Sequence, residues 1–197
     1  GTGFTLQEIE FVVQSAIDPY FRGDVFFAFH EDSVELEEAV LTTLGFVKGL
    51  QIRGGKFLIP FGRQNTKHLE QWHFVDNMLV NKYFLGAEGL SELGAEIAYV
   101  FPLPIYLQAT ASFSNGDNAT SFGGSRKEDF LYHGRLAASI DLSPVTTFLI
   151  GGSAATGFND TGAGNKTDLF GGDALIKWKP GARTSLTWQS EFMLGFL

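Results

Sequence analysis

Apolar and polar residues alternate with a period of two through most of this sequence, and this alternation restricts the fold more than any other feature. In residues 105–114 the odd positions are apolar, as at Ile105, Leu107 and Phe113, while the even positions are mostly polar, as at Gln108. A strand sorts such residues onto two opposite faces, whereas a helix would collect neither set on one stripe. The sequence therefore predicts an all-β protein.

The same pattern predicts ten strands. They cover residues 5–17, 20–30, 33–44, 49–59, 94–102, 105–115, 130–142, 146–157, 168–179 and 184–196. Many of them exceed the roughly 5–6 residues usual in globular proteins and match the roughly 9–11 residues of a tilted membrane-spanning strand. The only helical candidate, residues 66–81, lies within a predicted loop.

Short turns alternate with long polar loops along the chain. Asp18-Pro19 and Ser143-Pro144 form tight turns, whereas residues 61–93 and 115–129 form long loops. Outer-membrane barrels have this asymmetry, and aromatic residues near the strand ends, such as Tyr20, are typical of their interfacial girdles. The sequence therefore favours an antiparallel transmembrane β-barrel, with a soluble ligand-binding barrel or sandwich as the alternative.

The third and fourth strands depart from strict alternation. Glu35 and Glu37 fall on one face and Glu38 on the other, and Arg53 and Lys56 fall on opposite faces. A bulge at residues 54–55, which are both glycine, would return Lys56 to the face of Arg53. No comparable feature of the sequence explains Glu38.

Several motifs in residues 5–115 carry a family resemblance. They are Val34–Ala39 (VELEEA), Leu50–Phe57 (LQIRGGKF), Pro60–Asn65 (PFGRQN), Phe74–Asp76 (FVD) and Phe84–Leu90 (FLGAEGL). These motifs resemble the phosphate-selective porin-like group of outer-membrane porins. More narrowly, they resemble porin-like barrels labelled zinc-regulated or TonB-dependent receptors. The resemblance implies a bacterial outer-membrane location and passive passage of small solutes, without a cofactor.

Residues 1–197 are predicted to form one β-barrel domain that lacks strands at both ends. The turns after the first and ninth strands are short and hence periplasmic, so both termini would be extracellular. Bacterial single-chain barrels normally leave both termini in the periplasm, and Leu197 is not the aromatic residue that usually ends them. We therefore expect the ten strands to belong to a larger barrel.

The polar strand faces are predicted to line the pore. The lining residues would be Glu8, Glu10, Arg22, Asp24, Glu35, Glu37, Arg53, Glu96, Arg135, Asp141, Asp173, Lys177 and Glu191, with Lys179 as a further base. These are nine acids against five bases, and rings of carboxylates favour cations. The sequence thus predicts a weak cation preference and no dedicated phosphate site.

The other expected partners follow from charge and motifs. A net charge of −8 argues against nucleic-acid binding. No nucleophile elbow or phosphate-binding loop is present, so we predict no enzymatic activity. The lipid bilayer, small solutes or ions, and a neighbouring subunit or partner protein remain as partners. A structural barrel that holds a partner and conducts little is a third possible function.

The long loop 61–93 contains two further candidate sites. His68 and His73 lie near carboxylates, and imidazole with carboxylate suits zinc. The same loop is apolar, and Trp72, Phe74, Tyr83 and Phe84 would form either a constriction inside the pore or a contact with a partner.

Overall fold

The computed structural model describes residue 3 and residues 6–118, 120–124, 129–162 and 164–196. Ten long strands form one antiparallel sheet in sequence order, and a small hairpin lies beside it. The long strands are β1 (Ile9–Ala16), β2 (Phe21–Phe29), β3 (Val34–Thr43), β4 (Leu50–Leu58), β5 (Ser91–Val100), β6 (Tyr106–Ser114), β9 (Leu131–Ser143), β10 (Thr146–Phe158), β11 (Lys166–Trp178) and β12 (Leu186–Phe196). The hairpin consists of β7 (Asp117–Asn118) and β8 (Phe122–Gly123). The prediction of an all-β chain with ten long strands is confirmed.

Two elements were not anticipated. The hairpin β7–β8 lies within the predicted loop 115–129, of which residues 119 and 125–128 lie outside the described residues. A short helix, α1 (Leu79–Leu85), begins near the end of the helical candidate 66–81, and one 3-10 turn (Leu69–Gln71) precedes it. The candidate was misplaced because α1 is short and its pattern is masked by the apolar residues around it.

The sheet is open within the described chain. β1 and β12 are its two edges and each pairs with one neighbour, so the ten strands are not closed into a barrel. The prediction of additional strands therefore stays a prediction, and Leu197 lies outside the described residues.

The two faces of the sheet differ in an unusual way, because the apolar face is the exposed one. Ile97, Leu136 and Ile150 are about half exposed on this side, which we call the outer face. On the opposite side, the inner face, polar residues such as Thr42 and Asp173 are buried. A soluble sandwich would have the reverse arrangement, since it must bury its apolar surface.

A β-bulge in β3 explains the departure from alternation. Phe26 of β2 faces Glu38 and Phe27 faces Leu36, so Glu37 is the extra residue. A bulge brings two successive side chains to the same side of a strand, and it therefore turns both Glu37 and Glu38 inward. The predicted bulge at residues 54–55 is wrong, because β4 pairs with both β3 and β5 without a register shift.

Residues 59–90, which we call the inner segment, cover one end of the inner face. Their buried side chains pack with residues from the long-loop ends of the strands and with Phe122 of β8. The resulting core consists of Val40, Phe57, Ile59, Phe61, Leu85, Leu90, Phe122, Leu131, Ala155, Leu169 and Met193. Among the described residues, no helix is long and apolar enough to cross a membrane.

Candidate functional site

Oppositely charged residues are paired across the middle of the inner face. Arg135 of β9 holds Asp173 of β11 through two contacts of 2.6 and 3.0 Å, and it also donates to Ser153. Arg53 of β4 holds Glu96 of β5 through contacts of 2.8 and 2.9 Å. Such two-contact pairs are strong and fix the geometry of both side chains. These charges are therefore neutralised within the sheet.

A second cluster, at the long-loop end of β1–β4, is predominantly acidic. Nδ1 of His68 lies 3.6 Å from Oε2 of Glu10 and 3.4 Å from Oε2 of Glu37. Nε2 of the same ring lies 3.4 Å from Oε1 of Glu38. Three carboxylates thus surround one imidazole, and we call this group the acidic–histidine cluster.

Local structure positions each member of this cluster. Glu10 points inward by the alternation of β1, and the bulge turns Glu37 and Glu38 to the same side. The backbone N–H of Leu58 donates to Glu38 at 3.1 Å. The ring of Phe26 stacks on His68 with the centroids 4.7 Å apart. The first contact restricts the orientation of the Glu38 carboxylate, and the second restricts that of the His68 imidazole.

The ionisation of this region reflects the competition between burial and charge. Burial by itself lowers the pKa of His68, but the Glu37 and Glu38 carboxylates beside its ring outweigh burial and raise that pKa to about 10. The neighbouring Lys67 has a lowered pKa because of burial and the nearby charge of Arg63. The pKa of His68 is therefore raised and that of Lys67 is lowered, although the two residues are adjacent in the chain.

Besides its apolar core residues, the inner segment is anchored through polar contacts. The backbone N–H groups of Arg63 and Gln64 donate to Glu191 of β12 at 3.0 and 2.7 Å. The Asn65 side chain donates to the backbone carbonyls of Ile59 and Leu90 and accepts from the Leu90 N–H. These bonds hold residues 59–65 against the sheet and so bring His68 to the acidic residues.

The cluster borders a cavity of about 280 Å³. Its wall carries Glu8, Glu35 and Glu88 together with Lys56 and Trp72. Lys56 only approaches Glu35, at 4.0 Å. Among the described residues that line this cavity, four glutamates face two lysines, Lys56 and Lys67, so acidic side chains outnumber the lysines.

The structure places most of the predicted lining residues on the inner face. Asp24, Glu96 and Asp173 are buried there, and Arg22 pairs with Asp24 at 2.9 Å while remaining half exposed. Asp141 and Lys177 lie at the exposed short-turn ends of their strands. Whether these residues line a conducting pore stays a prediction.

The candidates from the long loop separate into two groups. His68 belongs to the acidic–histidine cluster, but His73 is exposed and borders a different cavity with Trp72. Phe84 packs on the core and against Gly195 of β12. Phe74 and Tyr83 are largely exposed. The loop therefore has a part that packs inward and a tip that projects outward.

Two acids of the inner face were missing from the predicted site. Strict alternation placed Glu38 on the face opposite Glu35 and Glu37. Three glutamates within four residues can share one face only if the strand contains a bulge, and this pattern could have indicated one. Glu92 was missed because β5 begins three residues before its predicted start. It is buried and accepts from the backbone N–H groups of Gly116 and Asp117.

Comparisons with known proteins give one relative without a known role. No family model and no solved structure matches the chain. The chain is similar to an uncharacterized protein of Aquifex aeolicus (strain VF5), with 38% identity over 162 residues. The match covers 76% of this chain and 34% of the relative, so the chain spans about a third of that protein. The resemblance to porins consequently stays a prediction.

Proposed function

We propose that this chain forms part of the wall of a bacterial outer-membrane channel that passes small solutes, with a weak preference for cations. One observation carries the proposal: the apolar face of the sheet is exposed and the polar face is buried. Water penalises an exposed apolar surface of this extent, whereas hydrocarbon does not. A membrane barrel has this arrangement of an apolar exterior and a polar interior.

The positions of the aromatic residues support the same proposal. Tyr20 and Trp178 are exposed at the short-turn end of the sheet. Phe113 and Tyr132 are exposed at the long-loop end. Two aromatic bands on either side of an apolar belt are typical of outer-membrane barrels, where they lie at the two interfaces.

The cation preference is supported by the distribution of charge on the inner face. Arg53, Arg135 and Arg22 are each paired with an acid of a strand. The excess negative charge therefore lies around Glu8, Glu10 and the β3 glutamates rather than being spread evenly. Carboxylates that border an aqueous passage attract cations.

A structural barrel remains the second candidate, because the inner segment occupies part of the inner face. Its Phe61 and Leu85 side chains are fully buried in the core. If the segment fills the interior of the assembled barrel, the protein would hold its shape in the membrane and conduct little.

Extraction and conductance distinguish these functions. For a channel, the protein requires detergent and gives single-channel currents in a planar bilayer. A protein that needs detergent but gives no current supports the structural barrel. A protein that stays monomeric and dissolved without detergent contradicts both membrane functions and supports the soluble ligand-binding alternative.

A substitution on the outer face tests the membrane location directly. Ile150→Arg should lower the unfolding free energy in lipid vesicles by about 2–4 kcal/mol, the cost of an arginine facing lipid near the midplane of a barrel. Val75→Arg, at the exposed tip of the inner segment, is the matched control and should change it little. Equal, small effects of the two substitutions would contradict the membrane location.

A further inference from the structure

We infer that Glu10, Glu37 and His68 form a binding site for a divalent transition-metal cation, with zinc as the best-matched ion. One ligand atom from each residue lies within 4.8 Å of the others. The inference goes beyond the proposed channel function, since it depends only on the inner face and not on what surrounds the outer face.

The two distances around Nδ1 of His68 match the spacing of ligands around one metal ion and are longer than usual hydrogen bonds. The Nδ1 atom of His68 lies 3.6 and 3.4 Å from the Oε2 atoms of Glu10 and Glu37. Hydrogen bonds between nitrogen and oxygen are normally about 2.7–3.2 Å long. Ligands about 2.1 Å from a tetrahedral zinc ion lie about 3.4 Å from each other. The observed separations therefore leave room for an ion between the three atoms.

The two carboxylate oxygens that face Nδ1 also lack other partners. Oε2 of Glu10 and Oε2 of Glu37 are buried and accept no hydrogen bond among the described residues. The imidazole between them is itself only 9% exposed. Buried carboxylate oxygens are normally satisfied, because leaving them unpaired is costly. A cation at this point would satisfy both.

The surroundings of His68 are those of a metal-ligating histidine. Such histidines usually hold the second ring nitrogen against a carboxylate or carbonyl group, which fixes the ring. Here Glu38 lies beside Nε2 and is itself held by the backbone N–H of Leu58. The ion would take the place of the Nδ1 proton, which leaves to solvent.

The ligand set indicates the class of ion. One imidazole nitrogen and two carboxylate oxygens suit zinc, and water completes a four-coordinate shell. Magnesium and calcium prefer oxygen-only shells with more ligands. The bordering cavity gives a path by which an ion reaches the site. A bound ion would link β1, β3 and the inner segment.

The test is zinc titration of the purified protein in detergent, after treatment with a chelator, followed by isothermal calorimetry. Wild-type protein should bind one zinc ion at this site. His68→Gln and the double variant Glu10→Gln/Glu37→Gln should weaken binding at least about 100-fold, and Glu38→Gln about 10–100-fold. His73→Ala is the matched control and should leave the affinity unchanged.

X-ray absorption of the wild-type zinc complex keeps the test independent of whether a variant folds. The chain has four histidines and no cysteine, and the site predicts one imidazole with oxygen ligands. Two imidazoles in the zinc shell, no zinc binding by the wild type, or a loss of binding in His73→Ala would each overturn the proposal.

The same preparation separates this site from the channel. Currents in a planar bilayer from protein that binds no zinc would overturn the metal site and leave the channel intact. Zinc binding by protein that gives no current would support the site and overturn the channel.

Discussion

Buried charged side chains are paired differently at the two ends of the sheet. Arg135 and Asp173 hold each other across β10, and Ser153 of that strand also accepts from Arg135. Around His68, three carboxylates share one imidazole, and two of their oxygens have no hydrogen-bond partner. The Arg135–Asp173 pair is complete in itself, whereas the cluster around His68 has capacity for a further cation. Paired charges are thus expected to serve stability, and surplus charges to serve binding.

The largest expected effect comes from breaking the Arg135–Asp173 ion pair. Arg135→Met leaves the buried Asp173 carboxylate without a counter-charge, which should lower the unfolding free energy by about 3–5 kcal/mol. Urea titration in detergent micelles measures it. The control is Asp76→Asn at the exposed Lys82–Asp76 pair, which should cost at most about 1 kcal/mol. If both substitutions cost the same, the Arg135 pair is not structural.

The next effect comes from completing the acidic–histidine cluster. Zinc at a hundred times its dissociation constant should raise the unfolding free energy by about 2.7 kcal/mol, because the ion binds the folded state. The measurement is urea unfolding with zinc and with chelator present. In His68→Gln the zinc-dependent gain should disappear, and in His73→Ala it should persist. A gain of equal size in both variants would place the ion elsewhere.

A smaller effect on stability, but a clear one on ion flow, follows from neutralising surplus acids. Glu8→Gln with Glu10→Gln should reduce the preference for cations, since both side chains contribute negative charge to the inner face. The Glu8 substitution should change the unfolding free energy by no more than about 0.5 kcal/mol, whereas Glu10 is only 15% exposed and contacts His68, so its substitution is expected to have a larger effect. Reversal potentials across a KCl gradient, recorded with chelator present, measure the selectivity. An anion-selective wild-type channel would contradict the prediction.

The smallest effect is expected at the exposed tip of the inner segment. Phe74→Ser and Tyr83→Ser should each change the unfolding free energy by less than about 0.5 kcal/mol, because both side chains are more than three-quarters exposed. Phe84→Ser should cost about 2 kcal/mol, because its ring packs on the core. Urea titration of the three variants tests this division, and a large cost for Phe74→Ser would mean that the tip is packed.

Much of the fold was determined by the sequence alone. Successive side chains of an extended backbone point to opposite faces, so the alternation of apolar and polar residues located all ten long strands. The predicted ends lie close to the observed ones, and the largest differences are at the N-termini of β1 and β5. The same alternation assigned Asp24, Glu96, Arg135 and Asp173 to one face. The charge pairs themselves were not predicted: Arg53 and Glu96 face each other on adjacent strands, whereas Arg135 reaches Asp173 across β10.

Other features of the structure depend on contacts between distant residues, which the local sequence pattern does not determine. Alternation separates two faces but does not say which one is covered, and only the assembled sheet places the apolar face outside. The bulge at Glu37 depends on the pairing of β3 with β2, and the path of residues 59–90 depends on Glu191, which lies more than a hundred residues further along the chain. His68 and His73 are five residues apart on an irregular segment, so no local period distinguishes them. Contacts across the inner face bring His68 to Glu10 and Glu37 and leave His73 exposed.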